Sequence, residues 1–407
     1  MSPIYTRTSK RFIKHVHTCL YIFRRIMATA LVVTFIPSAV LIYVTMETGV
    51  IDEIPKMASA SGVSYTTDGL ILQSSMLKPR QVNIHFYSFP RWFNITNAFR
   101  GCPSNCSLST GTKHYHERDV VIFFGPGLRK NPVPKRRGQI WVLYGKEAPP
   151  NHKHIRKWKG LFNWTMTYRR DSDFQHLHGD FQKCPHPSAR LPNITLKFTT
   201  AYQSINASNS VKTLPSTAWF VSHCKTQSKR REYVGILRNT QPVDIFGACG
   251  SKANKCTKGK DNECLMPYKF YLSFENSLCR DYITEKALSM YIKTQDTIPI
   301  TRGNGGLNSL YLPPGSFIDT IDYLGPDKLG QFLNYLSKNE TLFLRYFEWR
   351  RHYKASLDIF QSFCELCKRM HKPGVNTRYR RVYKDIHGWL FGSRDVKICT
   401  NPTDLLK

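Results

Sequence analysis

The chain has 407 residues, 41% of them hydrophobic and 13% aromatic. That is enough apolar side chain to bury a core, which excludes an intrinsically disordered chain, and the length fits a membrane anchor plus two ordinary domains. The formal net charge of +31 favours polyanionic partners, but the basic residues are spread along the chain, so charge alone does not choose between nucleic acid, acidic membrane and a phosphate-bearing substrate.

No residue between Ile26 and Met46 is charged, and a helix of that length spans a bilayer core. Arg7, Lys10, Arg11, Lys14, Arg24 and Arg25 precede it without an Asp or Glu, and Glu47, Asp52 and Glu53 follow. The positive-inside rule then predicts a cytosolic tail at 1–25, an anchor at 26–46 and a lumenal body. A cleaved signal peptide would have a shorter apolar region and a smaller basic one. Residues 47–80, rich in Ser, Thr and Gly, read as a stem. Six N-x-S/T sequons follow the anchor, at Asn94, Asn105, Asn163, Asn193, Asn206 and Asn339. They agree with a lumenal placement. Asn401 precedes a proline and is excluded.

The apolar runs 82–89, 119–126 and 139–145 are bounded by Pro, Gly and charge, and read as buried strands of an α/β domain over 81–200. A second domain over 215–355 alternates more regularly. Strands are predicted at 217–224, 242–247, 269–276 and 297–301, with helices at 228–237 and 281–293, the latter capped by Asp281. This alternation predicts a parallel, Rossmann-like sheet. Amphipathic helices are expected at 331–338 and 342–363, and residues 356–407 form a C-terminal extension. A sheet of this kind binds phosphate groups at the carboxyl ends of its strands, beside helix N-termini, and the loop 276–280 fits that description.

Cys364 and Cys367 form C-x-x-C, with His371 four residues on. In a cytosolic protein the pattern would suggest zinc or redox chemistry, and in a lumen it suggests disulfides. Cys102 and Cys106 are a second close pair. Cys224 and Cys279 follow predicted strands of the second sheet and are candidates for a bridge across the site. Cys249, Cys256 and Cys264 are close enough for a local one. Eleven of the twelve cysteines would be lumenal, so at least one lacks an intramolecular partner.

The stretch YKFYLSFENSLCRDYITEKALSM (268–290) resembles the signature of the α1,3-fucosyltransferases, glycosyltransferase family 10. The blocks TAWFVSHC…RREYVGIL…PVDIFGACG (217–250), FNWTMTYRRDSD (162–173) and LFLRYFEWRR (342–351) also resemble that family. The resemblance implies a GT-B-like architecture of two Rossmann-like domains, with the donor site in the interdomain cleft. It further implies inverting transfer of fucose from GDP-fucose to a GlcNAc hydroxyl of an N-glycan core or antenna, by a Golgi type II membrane protein. It also implies that the pairs Cys102, Cys106 and Cys364, Cys367 join, with individual partners open. A Cys224–Cys279 pair would look more like the family members that act on N-glycan cores.

Roles follow by motif. Glu147, in a segment where the family carries E-S-P and this chain has Ala148 in place of the serine, is the expected base. Its alternative is a surface ion pair with Lys146 or Arg137. Arg230 in R-x-x-Y-x-x-x-L and Lys286 in T-E-K are the expected stabilisers of the leaving diphosphate. Glu285 would hold a donor hydroxyl, and Asn276 and Tyr282 match donor-contact positions. Tyr168, Arg169 and Ser172 are expected to line the donor side. Asp171 and Asp173 form D-x-D, a pattern that elsewhere holds a metal. The family's donor site does not depend on it, so no metal is required and stimulation by Mn2+ or Mg2+ is left open. His223 stands where the family commonly has Asn, and is expected to be a buried, hydrogen-bonded histidine. A non-catalytic, glycan-binding relative is the alternative function, and joint retention of Glu147, Arg230, Glu285 and Lys286 argues against it. A nucleic-acid binder is opposed by the apolar run and the sequons.

Overall fold

The computed structural model describes residues 80–405, apart from 91–95, 97, 188–202, 206–210, 214–215, 252–255, 258, 295, 357–359 and 376–380. The expected tail, the anchor, all of the stem but Arg80, and the sequons at Asn94, Asn193 and Asn206 lie outside the described residues. Among the described residues no helix is long and apolar enough to cross a membrane.

The first sheet contains β1 (Val82–Tyr87), β2 (Cys106–Gly111), β3 (Val120–Phe124), β4 (Ile140–Gly145), β5 (Trp164–Thr167) and β6 (Phe174–Gln175), in the order β2-β1-β3-β4-β5-β6. Every pair is parallel; Ile122 lies opposite Val142, and Val142 opposite Trp164. A parallel sheet is covered on both faces, which is why β4 reads as an unbroken apolar run and is buried throughout.

After the first sheet, β7 (Asp180–Lys183) begins the connection to the second half, and a short hairpin pairs β8 (Gln203–Ile205) with β9 (Val211–Thr213). The second sheet contains β10 (Thr217–Phe220), β11 (Val243–Phe246), β12 (Phe270–Phe274), β13 (Ile298–Arg302) and β14 (Ile318–Asp319), ordered β11-β10-β12-β13-β14 and all parallel. Helix α1 (Arg230–Leu237) follows β10, and α2 (Asp261–Leu265) follows β11. The turns α3 (Glu285–Leu288) and α4 (Met290–Lys293) follow β12, and α5 (Pro326–Ser337) and α6 (Glu340–Arg345) follow β14. Tyr233, Val234 and Leu237 of α1 pack with Leu329, Leu333 and Leu336 of α5 on one face of this sheet, against Trp219, Phe270, Phe274 and Ile300.

The chain then returns to the first sheet. Helix α7 (Gln361–Met370) lays Phe363, Leu366 and Met370 against Phe86, Ile122, Tyr144 and Met166. Helix α8 (Ile386–Phe391) lays Ile386 and Leu390 on the opposite face, beside Trp141, Trp158 and Phe162. Burying each such large apolar side chain contributes about 1.5–3 kcal/mol relative to leaving it in water.

Two helices differ from the sequence reading. The helix expected over 281–293 begins only at Glu285, capped by Thr284, and breaks at Ser289. Asp281 instead takes a left-handed φ of 65° and does not cap it. The long helix expected over 342–363 breaks because Tyr353–Ser356 forms β15, antiparallel to β7. Helical periodicity in one strand-sized piece yields there to tertiary pairing.

Cys102 bonds Cys364 and Cys106 bonds Cys367, so the two close pairs do join, start to end. The candidate Cys224–Cys279 bridge is not formed. Cys224 pairs with Cys249 at the neighbouring strand end, and Cys279 pairs with Cys399, which the sequence reading left unassigned. Cys256 pairs locally with Cys264, and Cys184 is free. The cluster of Cys106, Cys367 and His371 is no metal site, because both thiols are spent in disulfides.

Candidate active site

The base candidate sits where β4 leaves the sheet. The sequence Glu147-Ala148-Pro149-Pro150-Asn151-His152 forms one tight turn, in which Pro149 sets the first helical φ and the amides of Asn151 and His152 bond back to Ala148 and Pro149. Asn151 Nδ2 donates to Glu147 Oε2 at 2.9 Å, which fixes the carboxylate. His152 tucks beneath the turn, with Nδ1 3.2 Å from the Ala148 carbonyl, and burial lowers its pKa to about 4. A Cβ on Gly125 or Gly145 would collide with that ring. Ala148, the position that departs from E-S-P, is buried with Tyr168, Tyr282, Cys279 and Ile398. This apolar plug between the halves has no use for a hydroxyl.

The other wall is built from the end of β12 and the start of α3. Glu275 is 3% exposed and accepts from the Thr284 backbone N–H at 2.8 Å and from Thr284 Oγ1 at 2.9 Å. Lys286 Nζ lies 3.4 Å from Glu275 Oε2, 3.2 Å from Glu285 Oε1 and 2.9 Å from Thr284 Oγ1. Burial alone would lower the pKa of Lys286, but Glu275 and Glu285 outweigh it and the ammonium is held charged. Burial likewise opposes ionisation of Glu285, yet His178 and Lys286 together lower its pKa. Its side chain is 61% exposed, so solvent screens much of that interaction.

Arg230 begins α1 and is buried. Its Nη1 donates to the Phe274 carbonyl at 2.7 Å and Nη2 to the His223 carbonyl at 3.2 Å, so it braces the ends of β10 and β12. Its Nε has no partner among the described residues. Burial lowers its pKa, and Glu275 opposes that shift. Asn276 follows, its buried Oδ1 without a partner among the described residues. Tyr282 is buried edge-to-face against Tyr168, ring centroids 5.0 Å apart, and Tyr168 Oη is also without a partner among the described residues.

Some expected site residues are occupied elsewhere. Arg169 is clamped on Asp171, on the Trp389 carbonyl and over the Trp389 ring, which makes it a tie to α8. Ser172 Oγ bonds Thr167 Oγ1 at 2.5 Å. Of the D-x-D pair, Asp171 holds Arg169, while Asp173 accepts from Thr165 and Tyr383 and faces Arg369, so neither carboxylate is free for a shared ion. His223 is exposed rather than buried, and only its backbone carbonyl takes part. Asn163 is no accessible glycan acceptor. It is 6% exposed, with Oδ1 taken by Lys135 and the Trp141 amide, and Nδ2 by the Arg381 carbonyl. Asn105 is exposed, and Asn339 caps α6.

The structure also brings in Glu275 and His178, and it buries Lys146, which the sequence offers only as an ion-pair partner of Glu147. Glu275 anchors the donor-side turn. Lys146, beside the base, is buried enough that desolvation lowers its pKa to about 8, with Glu285 opposing. His178 spans the two walls. The only signal for Glu275 was its place beside Asn276; for His178 there was none.

Two family profiles match the chain. One, for the fucosyltransferase N-terminal domain, covers residues 79–179, and the other, for the glycosyltransferase family 10 (fucosyltransferase) C-terminal domain, covers residues 211–389. The chain belongs to glycosyltransferase family 10, the α1,3-fucosyltransferases. Alpha-(1,3)-fucosyltransferase C of Drosophila melanogaster is 36% identical over 68% of this fucosyltransferase and 66% of the fly protein. A human 3-galactosyl-N-acetylglucosaminide 4-alpha-L-fucosyltransferase is 32% identical over 70% of this chain and 75% of its own. A crystal structure of an alpha1,3-fucosyltransferase with GDP-fucose is similar at 17% identity and a TM-score of 0.47, covering 82% of this chain and 96% of that one. The chain is therefore a glycosyltransferase that moves fucose.

Proposed function

We propose that the cleft transfers L-fucose from GDP-β-L-fucose to a hydroxyl of GlcNAc in an N-glycan core or antenna, with inversion. The observation that carries this reading is that the strand end bearing the fixed carboxylate of Glu147 is bridged through His178 to the turn that holds Lys286, with Arg230 buried at the start of α1 behind the end of β12. Glu147 takes the acceptor hydroxyl proton as that oxygen bonds to the anomeric carbon. The bond from that carbon to the diphosphate oxygen breaks, and GDP departs with the electron pair. Lys286 and Arg230 stabilise the charge gathering on the diphosphate, which a buried, prearranged cation does better than water. Glu285, Asn276 and the Tyr168–Tyr282 pair hold the donor. The engagement of Asp171 and Asp173 by protein groups supports a reaction in which no metal is required. The uncharged run 26–46 and the basic residues before it support a membrane anchor with the catalytic body lumenal, in the Golgi membrane as the family resemblance implies.

The test is fucose transfer by the full chain from GDP-fucose to core and antennal acceptors, with and without EDTA, beside Glu147→Gln. One acceptor class should be fucosylated, EDTA should leave turnover intact, and the variant should lose about 10²–10⁴-fold in kcat while still binding GDP. A Glu147→Gln chain that turns over within a few-fold of wild type removes Glu147 as the base.

A further inference from the structure

His178 lies in the loop between β6 and β7 and is the one polar side chain among the described residues whose two ring nitrogens reach opposite walls of the cleft. Its Nε2 is 3.2 Å from the Lys146 carbonyl, at the strand end that carries Glu147. Its Nδ1 is 3.1 Å from Glu285 Oε2, on the donor-side turn. The imidazole is 12% exposed, while Glu285 is 61% exposed and solvent reaches that contact from its side.

Both partners are acceptors. A backbone carbonyl has no proton to give, and Glu285, drawn below the usual carboxylate range, is ionised. A neutral imidazole has one N–H and one lone pair, so in either tautomer it satisfies one partner and turns a lone pair toward the other. Only the imidazolium donates to both. We propose that His178 is a positioning residue, and that in its protonated form it clamps Glu285 to the strand end bearing the base and so sets the productive geometry of the cleft.

The surrounding charges fit this role. Glu285 favours the cation. The ammonium groups of Lys146 and Lys286 oppose it, and His176, two residues earlier, is kept neutral by burial and adds no charge. A neutral ring leaves one of the two contacts without a donor, so loss of the proton releases the clamp. The idea rests on reading the cleft as the GDP-fucose site.

The test is the pH profile of kcat/KM for GDP-fucose with the full chain, His178→Gln and His178→Lys, together with 15N NMR of the histidine ring nitrogens in the wild type. The wild type should show an alkaline limb with a one-proton slope. His178→Gln should lose about tenfold or more at its optimum, mostly through KM for GDP-fucose, and lack that limb. His178→Lys, which keeps a cation, should recover most of the loss and stay flat through the same range. The NMR spectrum should show both His178 nitrogens protonated at the pH of the wild type's optimum. A neutral tautomer there overturns the proposal, as does an alkaline limb with the same midpoint in His178→Gln. If GDP-fucose is not the donor, all three chains fail in the assay, but the ring spectrum still reads the clamp, so the two failures are distinguishable.

Discussion

At the scale of the residue, the site depends on a few buried charges held by specific partners. Glu275 satisfies the Thr284 amide and hydroxyl and neutralises Lys286 at 3.4 Å. Truncating it leaves the partly buried Lys286 ammonium with only the exposed Glu285 as counter-charge and the two Thr284 donors without their acceptor. Glu275→Ala is expected to cost about 3 kcal/mol of stability, read as a lower urea midpoint, together with loss of GDP binding. His152 sets an acid limit. Its folded pKa of about 4 lies below the usual 6.5, so between those values the unfolded chain binds a proton that the folded chain refuses. Stability from this residue is therefore complete above about pH 6.5 and falls by about 3 kcal/mol as pH drops toward 4. His152→Phe should flatten the pH dependence of the denaturant midpoint across that window.

At the scale of the element, the strands and the helices expected over 228–237 and 331–338 followed from the sequence pattern, and those expected over 281–293 and 342–363 did not. The strands at 140–145 and 270–274 are dominated by apolar residues because both faces of a parallel sheet are covered, and their short length between Gly, Pro and charged residues marks them as strands. The turn after β12 was harder to read. Asp281 looked like an N-cap, but its backbone amide is bound by Asn304, its φ is positive, and Thr284 caps the helix one turn later. Four residues of local sequence do not specify which candidate cap is used. The same turn is tied to the chain's end by Cys279–Cys399, by the amide of Arg280 on the Ile398 carbonyl and by Thr400 on Leu278. Replacing Cys279 and Cys399 together by serine should lower stability by about 2–5 kcal/mol and raise KM for GDP-fucose more than it lowers kcat, since the bridge closes a long loop and positions the donor side. Equal loss in both halves of the kinetics would place the effect elsewhere.

At the scale of the whole molecule, the first sheet is completed by the last part of the chain. Phe363, Leu366 and Met370 cover one face and Ile386 and Leu390 the other, and two disulfides link residues 102 and 106 to 364 and 367. A chain ended after Ser356 would expose both faces of a largely apolar sheet. It is expected to give aggregated, inactive protein, as measured by size-exclusion chromatography and fucose transfer, whereas an independent first domain would stay monomeric.

The sequence by itself determined the two parallel sheets, the enzyme family and the chemical types at the cleft, because these depend on long apolar runs and on a contiguous motif at 268–290. It also implied that the two close cysteine pairs join. Tertiary structure alone decided which cysteine meets which, that Asn163 is a core amide, that Arg169 serves α8, and that His178 meets Glu285. The reason is physical. Burial periodicity and motifs are local properties of a chain, whereas a disulfide, a buried hydrogen bond and a bridge across a cleft depend on where residues far apart in sequence come to rest.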